Sequence, residues 1–203
     1  MERLPDSYFE DMYTTSGDPW QLADRWYEQR KYAITMAMLP DARYRHAFEP
    51  GCSVGVLTEK LIGRCDRVTS LDVAQAALDA TRERVGAHPN LTLRRSSLDE
   101  DWPAADFDLV MLSEVAYYLS AETLRAVLDR ECARLAVGTT VVAAHWRHPT
   151  DYPLSGDEAN AIIRVTADMV GIGTYRDEDV VIDVLQKGAT RSVAARTGVP
   201  GAN

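Results

Sequence analysis

Apolar and polar positions along this chain follow two periods in alternation. In DRWYEQRKYAITMAML (residues 24–39), Trp26, Arg30, Ala33 and Ala37 recur at helical spacing. Tyr27, Lys31 and Ile34 lie on a neighbouring face, and Pro40 stops the pattern. Trp26 and Ala33 are expected in the core; Arg30 and Lys31 are candidates for a solvated face. Residues 1–18 are polar and run into Gly17-Asp18-Pro19, a turn signal. From residue 46 the chain alternates. HAFEP (46–50) reads as a strand, and 54–65 as a helix with Val54, Leu57, Leu61 and Cys65 on one face. RVTSLDV (67–73) is a strand, and 73–86 a helix with Val73, Ala76, Ala77, Ala80 and Val85 inward. NLTLRRSS (90–97) is a strand, and DFDLVMLSE (106–114) is nearly continuous in its apolar character, as a strand covered on both faces should be.

The second half repeats the theme. Residues 120–135 predict a helix with Leu124, Val127, Leu128 and Leu135 inward and Ser120 as N-cap. TTVVAAHW (139–146) is a buried strand, and Ser155 with Glu158 forms a capping box for a helix to about residue 169. TYRDEDVVIDVLQK (174–187) is strand material, a candidate hairpin, and 188–203 is a small, polar tail expected to be disordered. Alternating strands and helices predict a parallel sheet with right-handed crossovers in one α/β domain over 1–187. Within it, 1–40 is helical and 44–187 is the α/β core. Such sheets bind ligands at the carboxyl ends of their strands. The groups to interrogate are therefore 49–55, Asp72, 96–98, 113–118 and 145–148.

Composition narrows the ligand. The net charge of -9 over 203 residues comes with no Lys/Arg run, which disfavours nucleic acid as a partner. Three cysteines without knuckle spacing read as reduced residues of a cytoplasmic protein. The acidic start MERLPDSYFEDMY has no apolar segment of the signal-peptide kind, and no run is long enough to span a membrane. The four histidines form no H-E-x-x-H pair, so no metal site is expected.

The first strand closes on EPGCSVG (49–55). A Walker loop needs a lysine after its glycines, and none comes before Lys60. A dinucleotide fingerprint needs glycine where Ser53 stands. What remains, E-x-G-x-S-x-G, resembles the E/D-x-G-x-G-x-G turn of class I S-adenosylmethionine-dependent methyltransferases, with Ser53 replacing the middle glycine. Gly51 permits a tight bend, Gly55 a close approach of the following helix, and backbone N–H groups at that helix start can receive a carboxylate. Asp72, about twenty residues on, can accept both hydroxyls of a ribose.

With SEVAYYLS, HWRHP and DPWQLADRWYEQRKYAITMAMLP, the chain is similar over roughly residues 5–186 to the NodS-like methyltransferases, which include nodulation N-methyltransferases and modules joined to PIG-L-type deacetylases. The resemblance implies a Rossmann-like, mostly parallel seven-stranded sheet with helices on both faces and an N-terminal helical lid. It implies that Glu49, Gly51, Ser53 and Gly55 line the methionine end of S-adenosyl-L-methionine, with Asp72 and Val73 at the ribose. Ser97, where the family usually has aspartate, and Leu98 would flank adenine; Ser113 and Glu114 would sit beside the sulfonium. Trp20, Tyr27, Arg30 and Tyr32 would belong to the lid, Arg30 being a candidate to neutralise the cofactor carboxylate.

For the transfer itself the candidates are His145 as base or substrate anchor, then Tyr118, with Glu114 serving the cationic cofactor or amine. The alternatives are a satisfied core histidine and a core tyrosine. Trp102, Tyr117, Tyr118, Trp146 and Tyr152 are available to stack on a sugar or a cation. The implied acceptor is a small-molecule amine, such as an amino sugar or a deacetylated chitin-like oligosaccharide. A non-catalytic cofactor-binding regulatory subunit and a nicotinamide-dependent oxidoreductase are the competing readings.

Overall fold

The computed structural model describes residues 3–188 and 191–202. Helices α1 (Asp6–Thr15) and α2 (Trp26–Ala37) precede β1 (Tyr44–Pro50), α3 (Val56–Arg64), β2 (Cys65–Asp72), α4 (Gln75–Val85), β3 (Leu91–Arg95) and β4 (Leu109–Ser113). A 3₁₀ turn (Ala116–Tyr118), α5 (Ala121–Arg134), β5 (Thr140–Trp146), α6 (Gly156–Arg164), β6 (Met169–Arg176), β7 (Val180–Lys187) and the short α7 (Val193–Arg196) complete the order. The strands form one seven-stranded sheet in the order β3-β2-β1-β4-β5-β7-β6. The first five strands are parallel, and β7 runs antiparallel between β5 and β6. Strand order reverses between β1 and β4, so a crevice opens at their carboxyl ends.

The pleat divides the core. Ala47, Leu109, Met111, Val142, Ile182 and Val184 belong to the layer that also contains residues of α1 to α4. Phe48, Val110, Leu112, Val141, Ala143 and Leu185 belong to the layer that contains residues of α5 and α6. Successive side chains of β1, β4 and β5 thus feed opposite layers, and for that reason β4 and the first five residues of β5 are nearly continuous in apolar character. The Ser120 cap and the Ser155–Glu158 capping box both form. The expected hairpin is β6 with β7, although β6 begins at Met169, so α6 ends at Arg164 and not near 169.

Other boundaries move for local reasons. Cys65 pairs with Tyr44 and opens β2, so it leaves the helix expected over 54–65. Strand β4 is shorter than 106–114 because the Asp108 carboxylate accepts from the backbone N–H of Arg45 and His46. The polar N-terminus contains α1, whose Phe9 and Tyr13 pack on the core. Helix α2 buries Glu28, Lys31, Tyr32 and Thr35, while Trp26 is 73% exposed and Ala33 is exposed. The expected inward face was therefore the wrong one: the buried face is polar because it looks onto the crevice. Within 188–203, Ser192 caps α7 and Arg196 pairs with Asp41; residues 189, 190 and 203 lie outside the described residues. Among the described residues no helix is long and apolar enough to cross a membrane.

Candidate active site

The crevice holds a cleft of about 360 Å³ bounded by α1, α2 and the ends of β1, β2, β4 and β5. Three residues of the turn after β1 are left-handed: Gly51 at φ 77°, Ser53 at 51° and Gly55 at 80°. The N–H groups of Gly51 and Cys52 both bond to the Leu71 carbonyl, folding the turn back over β2. Gly51 and Ser53 line the cleft. Gly55 does not. A Cβ there would stand 2.9 Å from Thr81 Cγ2 and 3.0 Å from Thr81 Cα, so this glycine lets α3 close on α4. The Ser53 hydroxyl accepts from Tyr13 of α1, which leaves its own proton for a ligand.

Asp72 closes β2 beneath this turn. Its carboxylate accepts from Ser53 N at 2.9 Å and from Ala74 N at 3.0 Å. Burial outweighs those bonds and pushes its pKa up to about 6. Glu49 also borders the cleft but is only 2% exposed, and it accepts from Thr58 at 2.6 Å and Ser70 at 2.7 Å. Burial raises it to about 7. Val73, Ser97 and Leu98 line the end beyond Asp72. Ser97 donates to Asp99 and accepts from Arg3 at 3.1 Å.

At the other end, Glu114 closes β4 in a left-handed conformation, φ 55°. It accepts from Lys31 Nζ at 2.8 Å, the Tyr117 hydroxyl at 2.6 Å and Trp146 N at 2.9 Å. Burial alone would raise its pKa, yet the Lys31 ammonium, with the hydrogen bonds from Lys31 and Tyr117, holds it below the ordinary carboxylate value. Lys31, expected on a solvated face, is 1% exposed and bridges Glu114 to Glu28, 2.7 Å away. Trp20, Tyr27, Tyr32, Ser113, Tyr117, Tyr118, Trp146 and Tyr152 all line the cleft. Tyr13, Glu28 and Lys31 are among the cleft residues for which no site role was expected from sequence. For Glu28 and Lys31 the one signal was their polar i, i+3 spacing on a face expected to be solvated.

Two expectations are corrected. Arg30 faces away from the cleft, donating to Asp177 at 2.7 Å and to Tyr175, because the face it occupies turns toward β6. His145 is wholly buried. Its Nε2 accepts from Ala116 N at 3.1 Å, so the proton sits on Nδ1, which donates to Asn160 Oδ1 at 2.6 Å. Both ring nitrogens are occupied, and burial pushes the pKa down. His145 is a support for the turn bearing Glu114 and Tyr117, not a base. His145→Ala strands two buried partners at about 1–3 kcal/mol each. Thermal unfolding should register that loss, while ligand affinity changes less than threefold. His148 is exposed and pairs with Asp179. Among the described residues no group of three or more His, Cys, Asp or Glu is placed to hold a metal ion.

This sheet order, with the glycine turn closing β1 and an acid closing β2, defines the class I methyltransferase fold. The chain belongs to the NodS family: the model for nodulation protein S (NodS) matches residues 10–148. Nodulation protein S of Bradyrhizobium diazoefficiens is 35% identical over 127 residues, 62% of this chain and 61% of that protein. The chain spans less than two thirds of the length of the first nodulation proteins it matches. The solved N-methyltransferase NodS of Bradyrhizobium japonicum WM9, in complex with S-adenosyl-L-homocysteine, superposes with a TM-score of 0.81 at 22% identity, covering 91% of this chain and 99% of that one. A putative methyltransferase from Pseudomonas syringae is 35% identical with a TM-score of 0.68, covering 80% and 99%.

Proposed function

We propose that this chain is an S-adenosyl-L-methionine-dependent methyltransferase acting on the amine of a small molecule, an amino sugar or deacetylated chitin-like oligosaccharide being the favoured class. The observation that carries this reading is the buried Asp72 carboxylate, fixed by Ser53 N–H under the glycine turn and open to the same cleft as Glu114. A ribose diol fits an acceptor of that kind; a phosphate does not. A Cβ at Gly51 would stand 3.0 Å from Val115 Cγ2, so a glycine here lets the turn close on Val115 at the cleft wall.

When bound, the cofactor supplies an electrophilic methyl, whose bond to sulfur breaks as the acceptor's lone pair forms the new one. The chain's own work is to align and to exclude water, which in well-oriented systems contributes up to about 7–11 kcal/mol. Tyr27, Tyr117, Tyr118, Trp146 and Tyr152 wall the side of the cleft beside β4 and β5. Glu28, Lys31 and Glu114 together leave one net negative charge there, suited to a cation. The N-methyltransferase relative supports an amine acceptor. Incubation with labelled cofactor and glucosamine oligomers tests the reading: labelled N-methyl products are expected, and O- or S-methyl products alone would contradict it.

The raised acids make binding pH-dependent. Below about pH 6 Asp72 holds a proton in the free protein, and a ribose diol donating to its carboxylate must displace that proton. S-adenosylhomocysteine should therefore bind about tenfold more weakly at pH 5 than at pH 8, by titration calorimetry. The sign for folding is opposite. Stability from these groups is full below their unfolded values and is lost as pH rises through about 6 for Asp72 and about 7 for Glu49.

A further inference from the structure

We propose that Glu28, brought into the cleft by α2, takes the proton from the acceptor's ammonium group, and that the Tyr27 hydroxyl is the amine's second ligand. This rests on the methyltransferase reading above. Among the described residues four carboxylates border the cleft, and three are committed. Glu49 is tied to Thr58 and Ser70, Asp72 to two backbone N–H groups, and Glu114 to three donors. Glu28 has a single close partner, Lys31 at 2.7 Å, although it is 7% exposed. Among the described residues no histidine borders the cleft.

The Tyr27 hydroxyl is buried in the cleft wall without a hydrogen-bond partner. Such a group is costly to leave unmatched and is matched by a ligand with a donor or acceptor to spare. Its ring meets Trp146 edge-on at 5.0 Å, at the end of β5, and Lys31 links Glu28 to the end of β4. Both groups therefore stand on the acceptor side, away from the turn closing β1.

The groups facing Glu28 are Lys31 and Arg25 from its own segment, Tyr32 beside Lys31, and Glu114 from β4. Burial raises the Glu28 carboxyl above its ordinary value, against the pull of Lys31, and so strengthens it as a base. In the step, one N–H bond of R–NH₃⁺ breaks, its proton goes to a Glu28 oxygen, and the electron pair stays on nitrogen. The proton leaves to solvent on product release.

The test compares wild type with Glu28→Gln and Tyr27→Phe. S-adenosylhomocysteine affinity, measured by calorimetry, reports folding and the cofactor site, and should stay within threefold. In the S-adenosylhomocysteine complex at pH 6, Glu28→Gln should bind glucosamine dimer at least tenfold more weakly. Its kcat/KM should fall about 100-fold, and the deficit should shrink as rising pH deprotonates the amine in solution; a merely structural defect would not follow pH. Tyr27→Phe should lose about tenfold in amine affinity. Wild-type amine affinity and turnover in Glu28→Gln would overturn the role while leaving the methyltransferase reading intact. A wild-type protein that binds S-adenosylhomocysteine but methylates no amine would overturn the amine reading and this role with it; one that binds no S-adenosylhomocysteine would overturn the cofactor reading.

Discussion

Asp72→Asn should weaken S-adenosylhomocysteine binding by about 100-fold or more in calorimetry. A hydrogen bond to a charged acceptor contributes about 1.5–3 kcal/mol, and a ribose diol makes two. The lower sum, about 3 kcal/mol, is already about two factors of ten in affinity. An asparagine oxygen also cannot serve Ser53 N–H and Ala74 N–H from two sides at once, so the turn loses part of its own anchorage. The ligand-free fold should suffer far less. The lost backbone bond is offset by relief of a buried charge whose pKa burial has driven up to about 6. A binding loss without a matching unfolding loss separates a ligand-holding acid from a helix cap.

Gly55→Ala should be the more damaging change to stability, by about 3 kcal/mol in urea unfolding. A left-handed non-glycine residue costs roughly 1–2 kcal/mol. The new methyl also meets the Thr81 main chain at 3.0 Å, and overpacking of that kind costs about 1–3 kcal/mol. Backbone cannot rotate out of the way. Gly51→Ala makes the informative contrast, because its close neighbours are side-chain and not backbone atoms, Val115 Cγ2 at 3.0 Å and Cβ at 3.3 Å. Its φ of 77° still imposes the left-handed cost. Val115 lines the cleft, so the displacement should appear in ligand affinity.

The sheet was legible because covered strands and amphipathic helices differ in period, and β1, β4 and β5 feed both layers with apolar side chains. The glycine turn and Asp72 were legible because their roles depend on backbone freedom and on a single acid at a strand end. Helix α2 was not. Periodicity assumes that the inward face is apolar, and here it buries Glu28, Lys31 and Thr35, the first two of which line the cleft. The same assumption put Trp26 inside and Lys31 outside. His145 misled for a related reason. A histidine ending a central strand fits a catalytic base, and only the positions of Ala116 N and Asn160 show that neither nitrogen is free. Helix α1 lies within the 1–40 segment expected to be helical, but its polarity left its bounds unmarked: Phe9 and Tyr13, one turn apart, are what it sets into the core.

The central claim is that the turn after β1 and the acid closing β2 hold a sulfonium nucleoside. Titration of the wild-type protein with S-adenosylhomocysteine tests it most directly, with NAD as the comparison ligand. The account predicts saturable one-to-one binding of S-adenosylhomocysteine, weakened by Asp72→Asn, and no heat with NAD. Saturable NAD binding with no response to S-adenosylhomocysteine would contradict it.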